Sequence, residues 1–532
     1  MSQRWRYGWR SELPGLFRRE WDLLVIGGGI TGAGILLEAS RRGLAALLVE
    51  QRDFAWGTSS RSSKLVHGGL RYLAEGRLRL TRESVREREA LLRDAPGLVQ
   101  PLGFAFPDYG ASARKRRGFL AGLALYDLFA RRREPHWIAA DDFAMLAPNV
   151  ARDGLAGGIV YTDAKTDDAR LVLRVLHEAQ HHGGEAVNYV AAQALLRAQG
   201  RVCGALVRDA AGGDAYEVRA RLVIDASGAW AGTVPGSANA PRLRPLRGSH
   251  LVLPAWRLPL AQAISLMHPQ DGRPVFAFPW EGVTLVGTTD VDHADALERQ
   301  ASITRAELDY LLAALRFQFP QLGLGEADVL STFAGVRPVI DSGSHGAPSK
   351  EAREHAVWSE DGLVGVTGGK LTTFRAIALD TLRHAQSQLP GWRDTLAERP
   401  VFDPVVKPAA PAHMPAALVR RLAGRHGAHA QALLDAAHHG ELDTIPGTET
   451  LWAELRWAAR AEAVQHLDDL LLRRTRLGLQ LPRGGVAQLE RIRAICQPEL
   501  HWSDDTWDAE AAAYLQSWRA HHGLPTQGNA DD

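Results

Sequence analysis

Residues 21–32 have the sequence WDLLVIGGGITG, and this stretch decides the fold. The apolar run at 23–26 predicts a buried β-strand, and the glycines at 27–29 predict a tight turn after it. A helix should follow and end before Gly43, a residue that suits the position after a helix end. A second apolar run at 45–49 completes a strand–helix–strand unit, which predicts a parallel sheet.

The glycines of this turn match the pattern G-x-G-x-x-G of dinucleotide-binding proteins. Gly27 allows the tight turn, Gly29 lets the backbone approach a pyrophosphate, and Gly32 lets the helix pack closely on the strand. The helix N-terminus offers free N–H groups and partial positive charge to phosphates. Glu50 follows 18 residues after Gly32, at the end of the second strand, where an acid can bind ribose hydroxyls. The pattern predicts a bound dinucleotide.

The composition is that of an ordinary globular protein of several domains. Hydrophobic residues make up 45% of the 532 residues and charged residues 23%. The net charge of +1 argues against a nucleic-acid binder. Two distant cysteines fit a reducing compartment, and no signal peptide or long apolar segment is visible, so we expect a cytoplasmic protein. We find no spacing that predicts a metal site.

Two further segments favour FAD over NAD as the dinucleotide. Residues 57–64 supply many hydroxyl groups and two cations, which can wrap a second nucleotide half and the flavin's ribitol. Residues 367–373 form another glycine turn into a helix, whose start can stabilise negative charge on the reduced flavin. A flexible surface loop and a simple strand-to-helix connection are the alternatives for these two segments.

Together these segments resemble the FAD-dependent, aerobic-type glycerol-3-phosphate dehydrogenase family. The resemblance covers about residues 20–390 in the family's order, and the helical region around 468–475 is also similar to that family's final domain. The stretches that carry it are VIGGGITG at 25–32, residues 57–64, HGGLRY at 67–72, DDARL at 167–171, AGVRP at 334–338 and residues 368–375.

The resemblance implies an α/β fold with a glutathione-reductase-like FAD-binding part, a mixed-sheet substrate region and an all-helical C-terminal domain. We expect an oxidoreductase domain at 18–392 and a helical domain at 393–525, whose helices follow a proline-rich linker at 400–415. Within the first, the expected FAD part comprises 18–95, 155–235 and 330–392. The substrate part comprises 96–154 and 236–329.

The family's site residues can be placed on this sequence. The residues expected to bind FAD are Gly27, Gly29, Gly32, Glu50, Thr58, Ser59, Ser63, Lys64, His67, Gly68, Val190, Ser227, Gly228, Gly369, Lys370, Leu371 and Thr372. The residues expected to bind the substrate phosphate are Arg71, Tyr72, Arg337, Arg353 and Lys370.

The implied reaction oxidises glycerol 3-phosphate to dihydroxyacetone phosphate, with a hydride passing from carbon 2 to flavin N5. It belongs to glycerol and glycerophospholipid metabolism. His67 is the favoured base for the hydroxyl proton, because imidazole has a pKa near neutrality. Arg337 is the second expected catalytic residue, as a stabiliser of the developing alkoxide. The alternative for His67 is a histidine that donates to a backbone carbonyl or packs on the flavin.

The resemblance also implies partners. Family members commonly pass electrons to a membrane quinone, and residues 114–133 combine two basic runs with an apolar segment that can lie on a membrane surface. Phe119, Leu123 and Tyr126 would form one apolar face of that segment, although a core-packed helix is the alternative. A homodimer is possible by family likeness. Arg473, Arg474 and Arg476 are expected at a dimer contact, a membrane face or in solvent.

Three other functions are compatible with the sequence. An oxidase would reduce O2 to hydrogen peroxide on the same fold. A related flavin oxidase would act on an amine or amino acid, with one arginine holding the carboxylate. A flavin-binding protein without catalysis would keep the fold alone.

Overall fold

The computed structural model describes residues 4–69, 76–110, 117–118, 120, 122–123, 126, 135–237, 239–341, 343 and 354–525. The strands, in chain order, are β1 (Trp21–Ile26), β2 (Ala46–Val49), β3 (Leu65–Val66), β4 (Val99–Asp108), β5 (His136–Ala139), β6 (Gly157–Thr166), β7 (Glu185–Val187), β8 (Val190–Ala198), β9 (Arg201–Asp209), β10 (Ala215–Asp225), β11 (Leu243–Pro254), β12 (Ala263–Met267), β13 (Pro274–Trp280), β14 (Val283–Gly287), β15 (Val291–Asp292), β16 (Ser331–Ile340), β17 (His355–Glu360) and β18 (Leu363–Gly368). The α-helices are α1 (Leu13–Phe17), α2 (Ile30–Ser40), α3 (Leu78–Asp94), α4 (Ala140–Leu146), α5 (Asp168–His181), α6 (Arg305–Gln318), α7 (Phe374–Gln388), α8 (Ala416–His426), α9 (Ala430–Ala436), α10 (Trp452–Ala461), α11 (Leu477–Gln480), α12 (Leu489–Leu500) and α13 (Asp504–His521).

The first sheet is built on the strand–helix–strand unit at the start of the chain. Its strand order is β17-β18-β10-β1-β2-β7, and β9 and β8 extend it from β10. β1 runs parallel to β2 and β10, and β10 runs parallel to β18. Helix α2 packs against α5 and α7. The central strands are apolar along nearly their whole length because a parallel sheet is buried on both faces.

The second sheet is mixed, as expected for the substrate region. Its order is β15-β11-β14-β13-β12-β4-β6-β3, with β16 on β11 and β5 on β6. All its pairs are antiparallel except β12 with β4. Strands β6 and β16 fall within the ranges expected for the FAD part, 155–235 and 330–392, but their hydrogen bonds join them to this second sheet. The strands with which β6 and β16 pair, which the local sequence does not reveal, make them part of the second sheet.

The C-terminal part is helical, as the sequence predicts. Residues 389–415, all of them described, precede it without a helix or strand. Helices α10 to α13 share one hydrophobic core with the second sheet. That core joins Tyr161, Trp280 and Phe333 of the sheet to Trp452 and Trp507 of the helices. The helical part is therefore packed on the sheet rather than tethered beside it.

One surface prediction was wrong, and a second falls mostly outside the described residues. Arg473, Arg474 and Arg476 are buried and paired with carboxylates, so they face neither solvent nor a partner. Leu123 and Tyr126, the described members of the proposed membrane face, are both fully buried, and Leu123 belongs to a hydrophobic core. Most of residues 114–133, including Phe119 and both ends, lie outside the described residues. Among the described residues, none of the helices has the length and apolarity needed to cross a lipid bilayer.

Candidate functional site

The first glycine turn forms one wall of a cavity at the carboxyl end of β1. Gly27 has φ +114°, and a side chain there would come within 2.6 Å of the Ala226 carbonyl oxygen. A Cβ on Gly32 would lie 1.9 Å from the Gly27 oxygen, so only glycine lets α2 pack on the turn. The helix therefore directs its N-terminus, with partial positive charge, to the cavity beside Gly29.

Glu50 stands beside this turn. Its carboxylate accepts hydrogen bonds from the backbone N–H groups of Gly28 (2.6 Å) and Arg52 (2.9 Å). Burial raises the pKa of the Glu50 carboxyl, and the two amide groups oppose that shift. Carboxylate oxygens have lone pairs beyond those two bonds, so this group can accept from a vicinal diol such as a ribose.

The cavity has a volume of about 1450 Å³, counting the part open to solvent. Both predicted glycine turns border it, and Gly368 and Gly369 in the second turn have φ near +80°. Trp56 and Trp230, which the sequence did not single out, give it an apolar wall, with ring centroids 6.0 Å apart. The cavity thus offers helix N-termini, a diol-binding acid and flat apolar surfaces, which together fit a flavin dinucleotide.

Most residues expected to bind the cofactor border this cavity. They are Gly27, Gly29, Glu50, Thr58, Ser59, Val190, Ser227, Gly228, Gly369, Lys370 and Leu371. The hydroxyls of the loop also hold the site together. The Ser59 hydroxyl accepts from the Ile30 N–H (3.0 Å), and Thr58 donates to the Val336 carbonyl (2.5 Å).

The structure places other expected ligands behind the cavity wall. Lys64 is fully buried, and its ammonium donates to Asp168 (3.0 Å) and to the Ser60 carbonyl (3.0 Å). Burial lowers the pKa of Lys64 to about 8. The Ser63 hydroxyl lies 2.9 Å from His250 Nε2. Ser63 and Lys64 thus contact residues in the protein interior and do not border the cavity.

His67, Gly68 and Thr372 form a small junction next to the cavity. The Thr372 hydroxyl donates to the His67 carbonyl (3.5 Å), and the Gly68 N–H donates to the Tyr126 hydroxyl (2.7 Å). This junction joins the His67 segment to the second glycine turn. The His67 backbone therefore lies beside Thr372, the residue after Leu371, which borders the cavity.

One cationic residue, Lys370, borders the cavity, and a second, Arg337, precedes a residue that borders it. Arg337 on β16 donates to Asp290 (2.8 Å) and to the Thr288 hydroxyl (3.0 Å). The Lys370 ammonium is 3.3 Å from the Ser84 hydroxyl. Pro338, which follows Arg337, and Lys370 both border the cavity. Arg71, Tyr72 and Arg353 lie outside the described residues.

His250 is a residue that the sequence did not single out. It lies on β11, stacks on Phe333 with ring centroids 4.6 Å apart, and is almost fully buried. Burial, together with the positive charges of Arg337 and Lys64, holds its pKa well below the ordinary value. A strand histidine carries no local signal. Gly248, two residues earlier, indicates that this part of β11 is tightly packed, because a Cβ there would lie 2.3 Å from Arg337 Nη2.

Comparison with known proteins agrees with this geometry. Residues 22–378 match the family model described as FAD dependent oxidoreductase, and residues 381–507 match the C-terminal domain of alpha-glycerophosphate oxidase. The aerobic glycerol-3-phosphate dehydrogenase of Staphylococcus haemolyticus is 33% identical over 86% of this chain and 87% of its own. The glycerol-3-phosphate dehydrogenase of Mycobacterium leprae is 35% identical over 96% of this chain and 90% of its own.

A solved structure extends the likeness to the whole fold. The glycerol-3-phosphate dehydrogenase of Bacillus halodurans, complexed with FAD, superposes with a TM-score of 0.77 at 27% identity. The match covers 98% of this chain and 99% of that chain. By sequence and by structure, the chain belongs to the family of FAD-dependent glycerol-3-phosphate dehydrogenases.

Proposed function

We propose that this protein oxidises sn-glycerol 3-phosphate to dihydroxyacetone phosphate with FAD bound in the cavity. The observation that carries the proposal is a dinucleotide cavity bordered by the cation Lys370, with a second cation, Arg337, next in sequence to the cavity residue Pro338. FAD, when bound, supplies a two-electron acceptor for oxidation of an alcohol carbon. The protein supplies binding, orientation and charge.

Cofactor binding in this proposal rests on residues at both ends of the cavity. Gly27, Gly29 and the start of α2 would hold the pyrophosphate, and Glu50 would accept from the ribose diol. Val190, Ser227 and Gly228 would line the middle, and the turn at 369–371 would lie at the flavin end. We propose the domain boundaries 18–392 and 393–525 for the oxidoreductase and helical parts.

Substrate recognition would depend on the cationic group. A dianionic phosphate needs several charge-assisted donors to leave water. Asp290 and Thr288 fix the guanidinium of Arg337, so the side chain loses little conformational freedom when it binds an anion. We propose that Arg337 and Lys370 bind the phosphate together with Arg71, Tyr72 and Arg353.

Removal of the hydroxyl proton needs a neutral base, and two histidines are candidates. His67 lies on the junction beside the second glycine turn. His250 is kept neutral by burial, and its Nδ1 has no hydrogen-bond partner among the described residues. In the tautomer whose Nε2–H donates to Ser63, the Nδ1 lone pair can accept a proton.

The two candidates can be separated by mutation. His67→Gln and His250→Gln should both retain FAD, and only the variant that lacks the base should reduce its flavin slowly. If His67 is the base, flavin reduction in His67→Gln should also lose its dependence on pH near neutrality, whereas a dependence set by His250 would lie well below neutrality. Unchanged reduction in His67→Gln would remove His67 from the mechanism.

The central experiment is anaerobic addition of sn-glycerol 3-phosphate to the purified protein. Flavin absorbance at about 450 nm should fall, because the substrate reduces the isoalloxazine ring of FAD. Glycerol, which lacks the phosphate, should have little effect at the same concentration. A yellow protein whose flavin no phosphorylated alcohol bleaches would refute the proposed reaction. A colourless protein that takes up no FAD would refute the cofactor assignment.

We propose a membrane quinone as the electron acceptor and peripheral residence on the inner face of the cell membrane. The likeness to an oxidase's C-terminal domain makes O2 the competing acceptor. Reduced enzyme should therefore be mixed with a soluble quinone or with air-saturated buffer. Faster reoxidation by air would favour the oxidase. Flotation with anionic liposomes at low salt tests the membrane surface, and light scattering tests the homodimer.

A further inference from the structure

Residues 51–62, here named the cofactor loop, form much of one cavity wall. Gln51, residues 56–59 and Ser62 all border the cavity. The loop has only one short 3-10 turn, Thr58–Ser60, and therefore little regular hydrogen bonding of its own. Its shape depends on what holds it from outside.

Asp53 anchors the loop near its beginning. The carboxylate is fully buried, and Arg474 grips it with two hydrogen bonds, of 2.7 and 2.8 Å. Arg473 donates to the same carboxylate at 2.5 Å, and the Asn188 amide donates at 3.0 Å. Burial tends to raise the pKa of Asp53, but the two guanidinium groups outweigh it and hold the pKa below its ordinary value.

Arg476 anchors the other end of the loop. Its Nη2 donates to the Ser60 carbonyl (3.2 Å) and to the carboxylate of Asp168. Asp168 in turn accepts from the Ser62 backbone (2.9 Å) and hydroxyl (2.7 Å). Arg476 Nε also donates to Asp167 (2.9 Å), which fixes the guanidinium in place. The contact with the loop is thus both direct and through one carboxylate.

All three arginines come from four consecutive residues, 473–476, of the helical C-terminal part. A π-helical turn, Asp469–Arg474, precedes the bend at Arg476, whose φ is +65°. The segment is buried, and a buried guanidinium is tolerated only with its partners in place. Its position therefore depends on the carboxylates that pair with it.

We propose that residues 473–476 hold the cofactor loop in its binding conformation, so that cofactor affinity and docking of the C-terminal part depend on each other. This inference rests on the proposed binding of FAD in the cavity. It gives the helical part a role in the oxidoreductase site, with Arg476 as a positioning residue. Linkage makes the coupling reciprocal: what tightens the loop for FAD also tightens the docking.

A matched control exists in the same protein. Arg421 is also a buried arginine of the C-terminal part, and it donates to Glu454 (2.7 Å) and to Glu281, in the turn between β13 and β14 (2.9 Å). Neither of these carboxylates belongs to the cofactor loop. Loss of Arg421 therefore tests the general cost of breaking a buried pair between the two parts.

The experiment measures FAD release from holoenzyme after dilution, by the rise in free flavin fluorescence. Arg476→Met should release FAD about tenfold faster than wild type, or more, because one partner of a buried pair is lost next to the loop. Arg421→Met should stay within about threefold of wild type at the same thermal destabilisation. Arg476→Lys should lie between them, because it keeps the charge and loses the planar fork. Equal release from Arg476→Met and Arg421→Met would overturn the proposal.

A measurement on wild type decides the matter if Arg476→Met does not fold. Hydrogen exchange is followed in the full-length apoprotein with and without added FAD. We expect slower exchange both at residues 27–32 and at residues 469–480. Slowing at 27–32 alone would refute the coupling while leaving the proposed function intact. A wild-type protein without affinity for FAD would refute both.

Discussion

Replacing Arg337 by leucine tests the chemistry of the cationic group. The guanidinium is held by Asp290 and Thr288, and its side chain is 20% exposed, so it can contact a ligand from a fixed position. A hydrogen bond to a charged group contributes about 1.5–3 kcal/mol, which corresponds to a loss of about 13- to 160-fold in kcat/KM. The loss should lie in the upper half of that range. Asp290 is 3% exposed and would be left as a carboxylate that repels a dianionic substrate.

The assay is anaerobic reduction of the bound flavin by glycerol 3-phosphate in a stopped-flow instrument. Inorganic phosphate serves as a competitive inhibitor that reports ground-state binding alone. If Arg337 binds the phosphate, Arg337→Leu should raise KM and weaken inhibition by phosphate in parallel. If it stabilises the developing alkoxide, kcat should fall while inhibition by phosphate stays unchanged. Arg337→Lys should lose about tenfold, because the charge remains without the fork.

A value of kcat/KM in Arg337→Leu within threefold of wild type would mean either that Arg337 has no role or that another cation replaces it. Arg273, whose Nη2 lies 3.7 Å from Asp290, could compensate by pairing with the exposed carboxylate. The double variant Arg273→Ala/Arg337→Leu removes this second cation as well. If the double variant also keeps wild-type activity, Arg337 has no part in substrate binding or in the reaction.

Three further predictions concern the cofactor and stability. Gly32→Ala places a Cβ 1.9 Å from the Gly27 oxygen, so the unfolding free energy should fall by about 1–3 kcal/mol and FAD should bind more weakly. Gly15→Ala, within helix α1, meets no neighbour, so it should leave FAD binding unchanged and should raise the unfolding free energy by at most about 1 kcal/mol. Glu50→Gln should weaken FAD binding about tenfold in a fluorescence titration, because its amide NH2 must face the backbone N–H of either Gly28 or Arg52; equal affinity would exclude the ribose role. Burial lowers the pKa of His522 to about 3, against about 6.5 in the unfolded chain. Between these two pH values the unfolded chain binds one more proton than the folded protein, so the free energy of unfolding decreases as the pH falls from about 6.5 towards about 3. At pH 5 this costs about 2 kcal/mol, and His522→Gln, measured by urea unfolding at pH 7.5 and 5, should lose that much less than wild type; equal losses would contradict the pKa assignment.

Local signals explain what the sequence predicted well. The glycine pattern at 27–32 and the acid at 50 act over one turn and two adjacent strands, so their spacing in the chain already fixes their neighbourhood. The second glycine turn, at 368–369, has the same property. Both turns border the cavity as expected.

Long-range pairing explains what the sequence could not reveal. Lys64 was expected at the cofactor, but its partner Asp168 lies 104 residues away and draws it into the interior. Arg474 was expected near the surface, but its partner Asp53 lies 421 residues away. Each residue type suits both settings, and only the fold decides between them. His250 escaped notice for the same reason, because its neighbours Ser63 and Phe333 are distant in sequence.

The hydrophobic core shared by the second sheet and helices α10 to α13 has a consequence for how the chain can be divided. Proteolytic cleavage within 403–415 cuts one covalent connection but leaves the interdigitated tryptophans and leucines in place. The two fragments should therefore elute together under native conditions and separate only in denaturant. Expressed alone, residues 1–392 would present the bare face of that sheet to water and should precipitate or recruit chaperones.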